Sequence, residues 1–258
     1  MKFYEYGNTR DPVILLIPGT CCHHSIFDEV VSYLKERLYC IVVSFDGFDE
    51  TEDTIYRNME EETEKIESFI KEKYPDGILC AYGCSLGGSY VSYLMKRDII
   101  HIKHGIIGSS DLDHASETKA KILSDLVVKI IYPIVYKGKL PSFMEKVNAF
   151  KIKKHPESKE YREKFTKIFT DSPLKGYVKK ESVWNQYYYD LVSDTKMNRK
   201  CSIHVFYAKK MGKKYEGKYR DHFIDPDIRY HDMEHEELLM CYPEKWAEEV
   251  LDCVSGRK

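Results

Sequence analysis

The feature that most constrains the fold of this 258-residue chain is an alternation, over its first 111 residues, of short apolar runs with amphipathic stretches. Val13-Ile-Leu-Leu-Ile17 is apolar throughout and is closed by Pro18-Gly19, as a strand buried on both faces should be. Cys40 to Phe45, Ile78 to Tyr82 and His104 to Gly108 repeat the pattern. Between them, Ile26, Phe27, Val30, Val31 and Leu34 fall at helical spacing. So do Met59, Thr63, Ile66, Phe69 and Ile70 within Asn58 to Lys73, and a third helix is expected over Leu86 to Lys96. Strand and helix in strict succession predict a mostly parallel sheet covered on both faces by crossover helices.

The periodicity changes after Asp111. Residues 112–197 read as helices and loops without a convincing strand, broken by Pro133, Pro141, Pro156 and Pro173. Strands return at Ser202 to Tyr207 and Asp227 to His231, followed by a closing helix over Pro243 to Val254 with Trp246, Val250 and Leu251 inward. The expectation is an α/β core of residues 1–111 and 198–258, with a helical insertion at 112–197 between two of its strands. Charge marks the same boundary. The formal charge of −2 comes from 40 Lys+Arg and 42 Asp+Glu, but residues 46–72 hold 11 acids and 3 bases, while 119–180 hold 6 acids and 16 bases.

That balance gives no overall basic bias, so nucleic acid is not an expected partner. With 43% hydrophobic and 32% charged residues, the collagen-like and largely disordered classes are excluded. No run approaches the roughly 20 apolar residues of a membrane span, and Met1 to Asp11 has no apolar h-region, so no membrane partner is expected. The eight cysteines include no CxxC pair and sit mostly in apolar runs, which fits reduced thiols in a cytoplasmic protein.

Gly83-Cys84-Ser85-Leu86-Gly87 fits G-x-S-x-G and lies between an expected strand and an expected helix. A tight strand-to-helix turn forces its serine into a strained conformation that only small neighbours tolerate, and it projects the hydroxyl beyond the sheet edge. In this setting the chain resembles the α/β-hydrolase superfamily, over residues 13–111 and 201–254. The resemblance implies that fold, with a helical cap inserted between two strands, and a Ser85 nucleophile. It also implies an oxyanion hole from the amides of Thr20, in Ile17-Pro18-Gly19-Thr20, and Leu86. The implied base is His235, in a loop after the last strand and shortly before the closing helix. The implied chemistry is attack of Ser85 on an acyl carbonyl of a small-molecule ester, an acyl-enzyme, and its release by water, with no cofactor.

The acid is less defined. The turn Ala208-Lys209-Lys210-Met211-Gly212, where the family commonly places it, has no carboxylate. The family's alternative, the end of the strand before the cap, points to Asp111, with Asp113, Glu216, Asp221 or no acid at all as the other readings. An acyltransferase or thioesterase would use the same nucleophile, and a ligand-binding protein on this scaffold would need no acid.

Other dense patterns have plainer readings. His231-Asp-Met-Glu-His235 matches H-x-x-E-H, but a strand-like approach and the lack of a third ligand argue against zinc, and no metal is expected. Cys21-Cys22-His23-His24 is expected to line the oxyanion loop and pocket mouth, and Cys84 to pack behind the elbow. In the cap, Trp184 and Tyr188 are the expected substrate contacts, on a face with Tyr187 and Leu191 that serves equally well as core. The Lys-rich stretch reads as a solvated face, as a guide for anionic substrates, or as a contact with an acidic surface.

Overall fold

The computed structural model describes residues 1–255. The chain runs β1 (Lys2–Tyr6), β2 (Val13–Ile17), α1 (Asp28–Leu34), β3 (Tyr39–Ser44), α2 (Met59–Lys73), β4 (Ile78–Gly83), α3 (Leu86–Arg97) and β5 (Ile102–Ile107). Four helices follow without a strand: α4 (Glu117–Lys137), α5 (Ser142–Lys154), α6 (Lys159–Thr170) and α7 (Lys180–Val192). β6 (Ile203–Ala208), α8 (Lys214–His222), β7 (Asp227–His231), α9 (Glu237–Cys241) and α10 (Pro243–Ser255) complete it.

The strands form one sheet in the order β1-β3-β2-β4-β5-β6-β7, parallel except for β1, which pairs antiparallel with β3. Alternation along the buried strands separates two cores. Val13, Leu15, Ile17, Ile41 and Val43 pack on the face carrying α2, α3 and the inserted helices. Ile14, Leu16, Cys40 and Val42 pack on the other with α1 and α10. This is the mostly parallel α/β sheet expected from the sequence, with α4 to α7 inserted between β5 and β6.

Several elements differ from expectation, and the short helices α8 and α9 have no expected counterpart. β1 was not anticipated, because Lys2-Phe-Tyr-Glu-Tyr6 is polar and mixed; it is an edge strand, mostly half-exposed, and pairs on one side only. Pro133 does not break its helix but lies inside α4. Its ring removes one i to i−4 hydrogen bond, and the extensive packing of α4 along α7 holds the helix through that loss.

α10 is anchored by Trp246, fully buried and edge-on to Tyr82 of β4 at 4.7 Å between ring centroids. Trp246→Ala is expected to lower unfolding free energy by about 3–5 kcal/mol, read as a fall in the urea midpoint.

Candidate active site

The sheet order contains a switch: the chain steps from β2 outward to β3, then returns across β2 to place β4 on its other side. Loops leaving β2 and β4 at their carboxyl ends are therefore neighbours, the usual place for a ligand crevice in such sheets. Ile17 is paired with Gly83, and the Cys84 amide donates to the Ile17 carbonyl at 3.0 Å. Ser85 follows in a left-handed conformation, φ 50° and ψ −113°, and α3 begins at the next residue. A Cβ at Gly83 would lie 2.0 Å from the Gly87 carbonyl carbon, and one at Gly87 would lie 2.2 Å from the Ile17 oxygen. The turn thus closes only because both positions lack a side chain.

Thr20 sits in the loop after β2, and Leu86 is the first residue of α3. Among the described residues, neither amide has a hydrogen-bond acceptor, whereas their neighbours do. Cys21 donates its amide to Gln186 Oε1 of α7 at 2.7 Å, and Cys22 donates to the Gly19 carbonyl at 3.2 Å. Two free N–H groups, one at the positive end of the α3 dipole, are suited to a developing oxyanion.

His235, in the loop between β7 and α9, lines the same chamber as Ser85 and Thr20. The chamber is about 190 Å³, and Ile131, Phe165, Ile168 and Phe169 from the inserted helices supply its apolar wall. Asp111 follows β5. Burial raises its carboxyl above the ordinary range, and the neighbouring His235 charge opposes that rise. Asp113 instead pairs with Lys218, Glu216 is taken up by Tyr230 and Arg220, and Asp221 is exposed, as Asp111 itself is. Asp111 is the candidate carboxylate whose ionisation responds to the His235 charge. No hydrogen bond joins His235 to Ser85 or to Asp111 in this arrangement; free enzymes often hold such groups loosely and tighten them on substrate.

The residue that sequence reasoning missed is Glu236. It is 5% exposed and left-handed at φ 56°. Its carboxylate accepts from the Tyr82 hydroxyl at 2.9 Å and from the Ser85 amide at 3.0 Å, while its own amide donates to Ser109 Oγ at 3.1 Å. One residue therefore joins the Ser85 turn, β4, the end of β5 and the His235 loop. The available signal was a carboxylate directly after the candidate histidine, in a chain turning back toward the sheet.

The cap contacts need correction. Trp184 and Tyr188 do not line the chamber, and Tyr187 does. Residues four apart share one helical stripe. Theirs is turned to α4, where the Trp184 indole donates to Asp125 at 2.7 Å and its ring stacks on Tyr188. Cys22 lines the chamber, and His23 lines an outer groove of about 350 Å³. The two spaces share Ile26, Ile168 and Met240. His24 stacks on Tyr4. Burial pushes the Cys84 thiol well up, with the Glu236 charge adding to it, so the thiol beside Ser85 stays protonated. Among the described residues, no three His, Cys, Asp or Glu side chains converge as metal ligands.

Variants at two positions test this architecture. Glu236→Ala strands the Tyr82 hydroxyl and the Ser85 amide, and is expected to destabilise by about 2–4 kcal/mol in urea unfolding, with Glu236→Gln costing less. Asp190 of α7 is pushed up to about 7 by burial, opposed by a Ser89 hydrogen bond and reinforced by Asp111 and Asp113. In the unfolded chain it ionises near 3.8. The folded state therefore retains a proton that the unfolded state loses, and stability falls as pH rises between those values. Asp190→Asn should flatten that stretch of the stability–pH curve and raise the melting temperature above pH 7.

No family model and no curated relative matches the chain, but its fold matches many solved structures. A protein of the alpha/beta hydrolase family from Desulfitobacterium hafniense superposes with a TM-score of 0.73 at 18% identity, covering 97% of this chain and 99% of the other. A thermophilic esterase from Thermogutta terrifontis gives 0.73 at 16% identity over 99% and 93%. A serine hydrolase from Cycloclasticus zankles gives 0.67 at 14% identity over 98% and 93%. With its sheet order, its strand-serine-helix turn and near-complete overlap with these chains, the protein has the α/β-hydrolase fold.

Proposed function

We propose that the protein is a serine hydrolase that cleaves small carboxylic esters. The observation that carries this reading is the left-handed Ser85 at the head of α3, sharing a chamber with His235 and flanked by the unpartnered amides of Thr20 and Leu86. Ser85 Oγ attacks the acyl carbon as its proton passes to His235, and the two amides bind the oxyanion. The alcohol leaves with the proton from His235, and water then attacks the acyl-enzyme by the same route. Asp111 orients the imidazole and balances its cation. The apolar chamber accommodates a short acyl group, with Tyr187 and Phe165 as contacts in place of Trp184 and Tyr188. The outer groove, which carries Lys164 and Lys167, takes the alcohol portion.

In this reading residues 1–111 and 198–258 act as the catalytic core and 112–197 as the cap. Eight thiols, none of them paired, fit a reducing compartment such as the cytoplasm. No helix among the described residues is long and apolar enough to cross a membrane.

A fluorophosphonate probe tests the assignment. Wild type should be labelled, Ser85→Ala should not, and His235→Ala should react more than about a hundredfold more slowly. Asp111→Asn should slow ester turnover, while Asp113→Asn should leave it nearly unchanged. A folded wild type that resists the probe would sink the proposal and favour a pocket that binds without turnover.

A further inference from the structure

We propose that α5 seats the protein on an anionic lipid surface. Phe143, Val147 and Phe150 are 62%, 48% and 67% exposed, and no residue of α5 is buried. Their i, i+4, i+7 spacing puts them on one stripe. At about 3.6 residues per turn, Lys146 and Lys153 flank that stripe on one side, Lys151 flanks it on the other, and Lys154 continues its end. Glu145, the acid of this helix, falls on the opposite side. That opposite side faces the protein: Asn148 donates to Thr166 of α6, and Met144 and Ile152 beside it are half-buried.

Two phenylalanines and a valine are therefore turned to solvent between rows of lysine, with Met144 and Ile152 on the side toward the protein. A purely solvated helix has no use for two exposed phenylalanines, which cost free energy in water. The combination of apolar stripe and flanking cations is what inserts shallowly at a headgroup boundary and is held there by anionic lipid. Charge complementarity selects the occupant. Residues 119–180 carry 16 bases and 6 acids, and among the described residues Lys146, Lys151, Lys153 and Lys154 take part in no salt bridge. The sequence expectation of no membrane partner rested on the lack of a spanning segment, which does not bear on a helix lying in the interface. The proposal stands apart from the hydrolase reading, although α5 rests on α6, whose Phe165, Ile168 and Phe169 wall the chamber.

Co-sedimentation with vesicles tests it, using phosphatidylcholine alone and equal parts phosphatidylcholine and phosphatidylglycerol. Wild type should bind the mixed vesicles and release with added salt, and should bind the neutral ones much more weakly. Phe143→Ser with Phe150→Ser should lower partitioning at least about tenfold. Lys146→Glu, Lys151→Glu and Lys153→Glu together should remove the preference for anionic vesicles. Both variants should keep wild-type melting curves, because these side chains support nothing inside the protein. The proposal is overturned if wild type ignores mixed vesicles or if the variants bind as wild type does. It is also overturned if light scattering finds a dimer that the Phe143→Ser, Phe150→Ser variant dissolves, since the stripe would then belong to a second copy.

Discussion

The candidate site depends on the contact between the ends of β2 and β4. There the Cys84 amide reaches the Ile17 carbonyl, and Gly83 and Gly87 bring two backbones closer than any side chain would permit. The contact has two effects. It holds Ser85 in a conformation that costs roughly 1–3 kcal/mol and that an isolated turn would abandon. It also ties the loop that carries Thr20 to the turn from which α3 starts, and the Thr20 and Leu86 amides on either side of that contact are left unpaired among the described residues. Neither effect needs a side chain from the inserted helices, although Gln186 of α7 secures the loop from above through the Cys21 amide.

Glu236 extends that arrangement to the histidine. A carboxylate out of solvent is costly unless its oxygens are satisfied, and here they accept from Tyr82 and from Ser85 itself. A small displacement of the β7–α9 loop would break the hydrogen bond to the Ser85 amide, so the positions of Ser85 and His235 are coupled through one side chain. Burial raises the thiols of Cys84 and Cys22, and the same charge adds to the rise. Two thiols and one hydroxyl therefore border one chamber, and both sulfurs are held protonated.

The parts legible in the sequence were those where one local rule dominates. Val13 to Ile17 and Ile78 to Tyr82 read as central strands because burial on both faces demands continuous apolarity, and the elbow read clearly because steric closure demands glycine at two fixed offsets. β1 was hidden because an edge strand obeys no such demand. Trp184 and Tyr188 were chosen over Tyr187, placed on the same face, because periodicity does not say which edge of a helical face meets the chamber. Glu236 was missed for a related reason: its role arises from Tyr82, Ser85 and Ser109, which are brought to it only by the sheet order. Pro133 shows the reverse error, a strong local signal overruled by packing of α4 on α7.

The inserted helices divide by how firmly they are held. α7 is tied to the core by Ser182, which takes the Tyr56 amide, by Asn185 on the Tyr56 carbonyl, and by Gln186 on Cys21. α5 buries no residue and touches the rest through α6 and the short turn between them. Local stability follows such differences in buried contact. The α7 side of the chamber is thus a fixed wall, and the α6 side, with Phe165, Ile168 and Phe169, is backed by the helix least committed to the protein. That wall has other supports, since α6 also packs on α4 and α9 and Lys164 donates to the Met240 carbonyl.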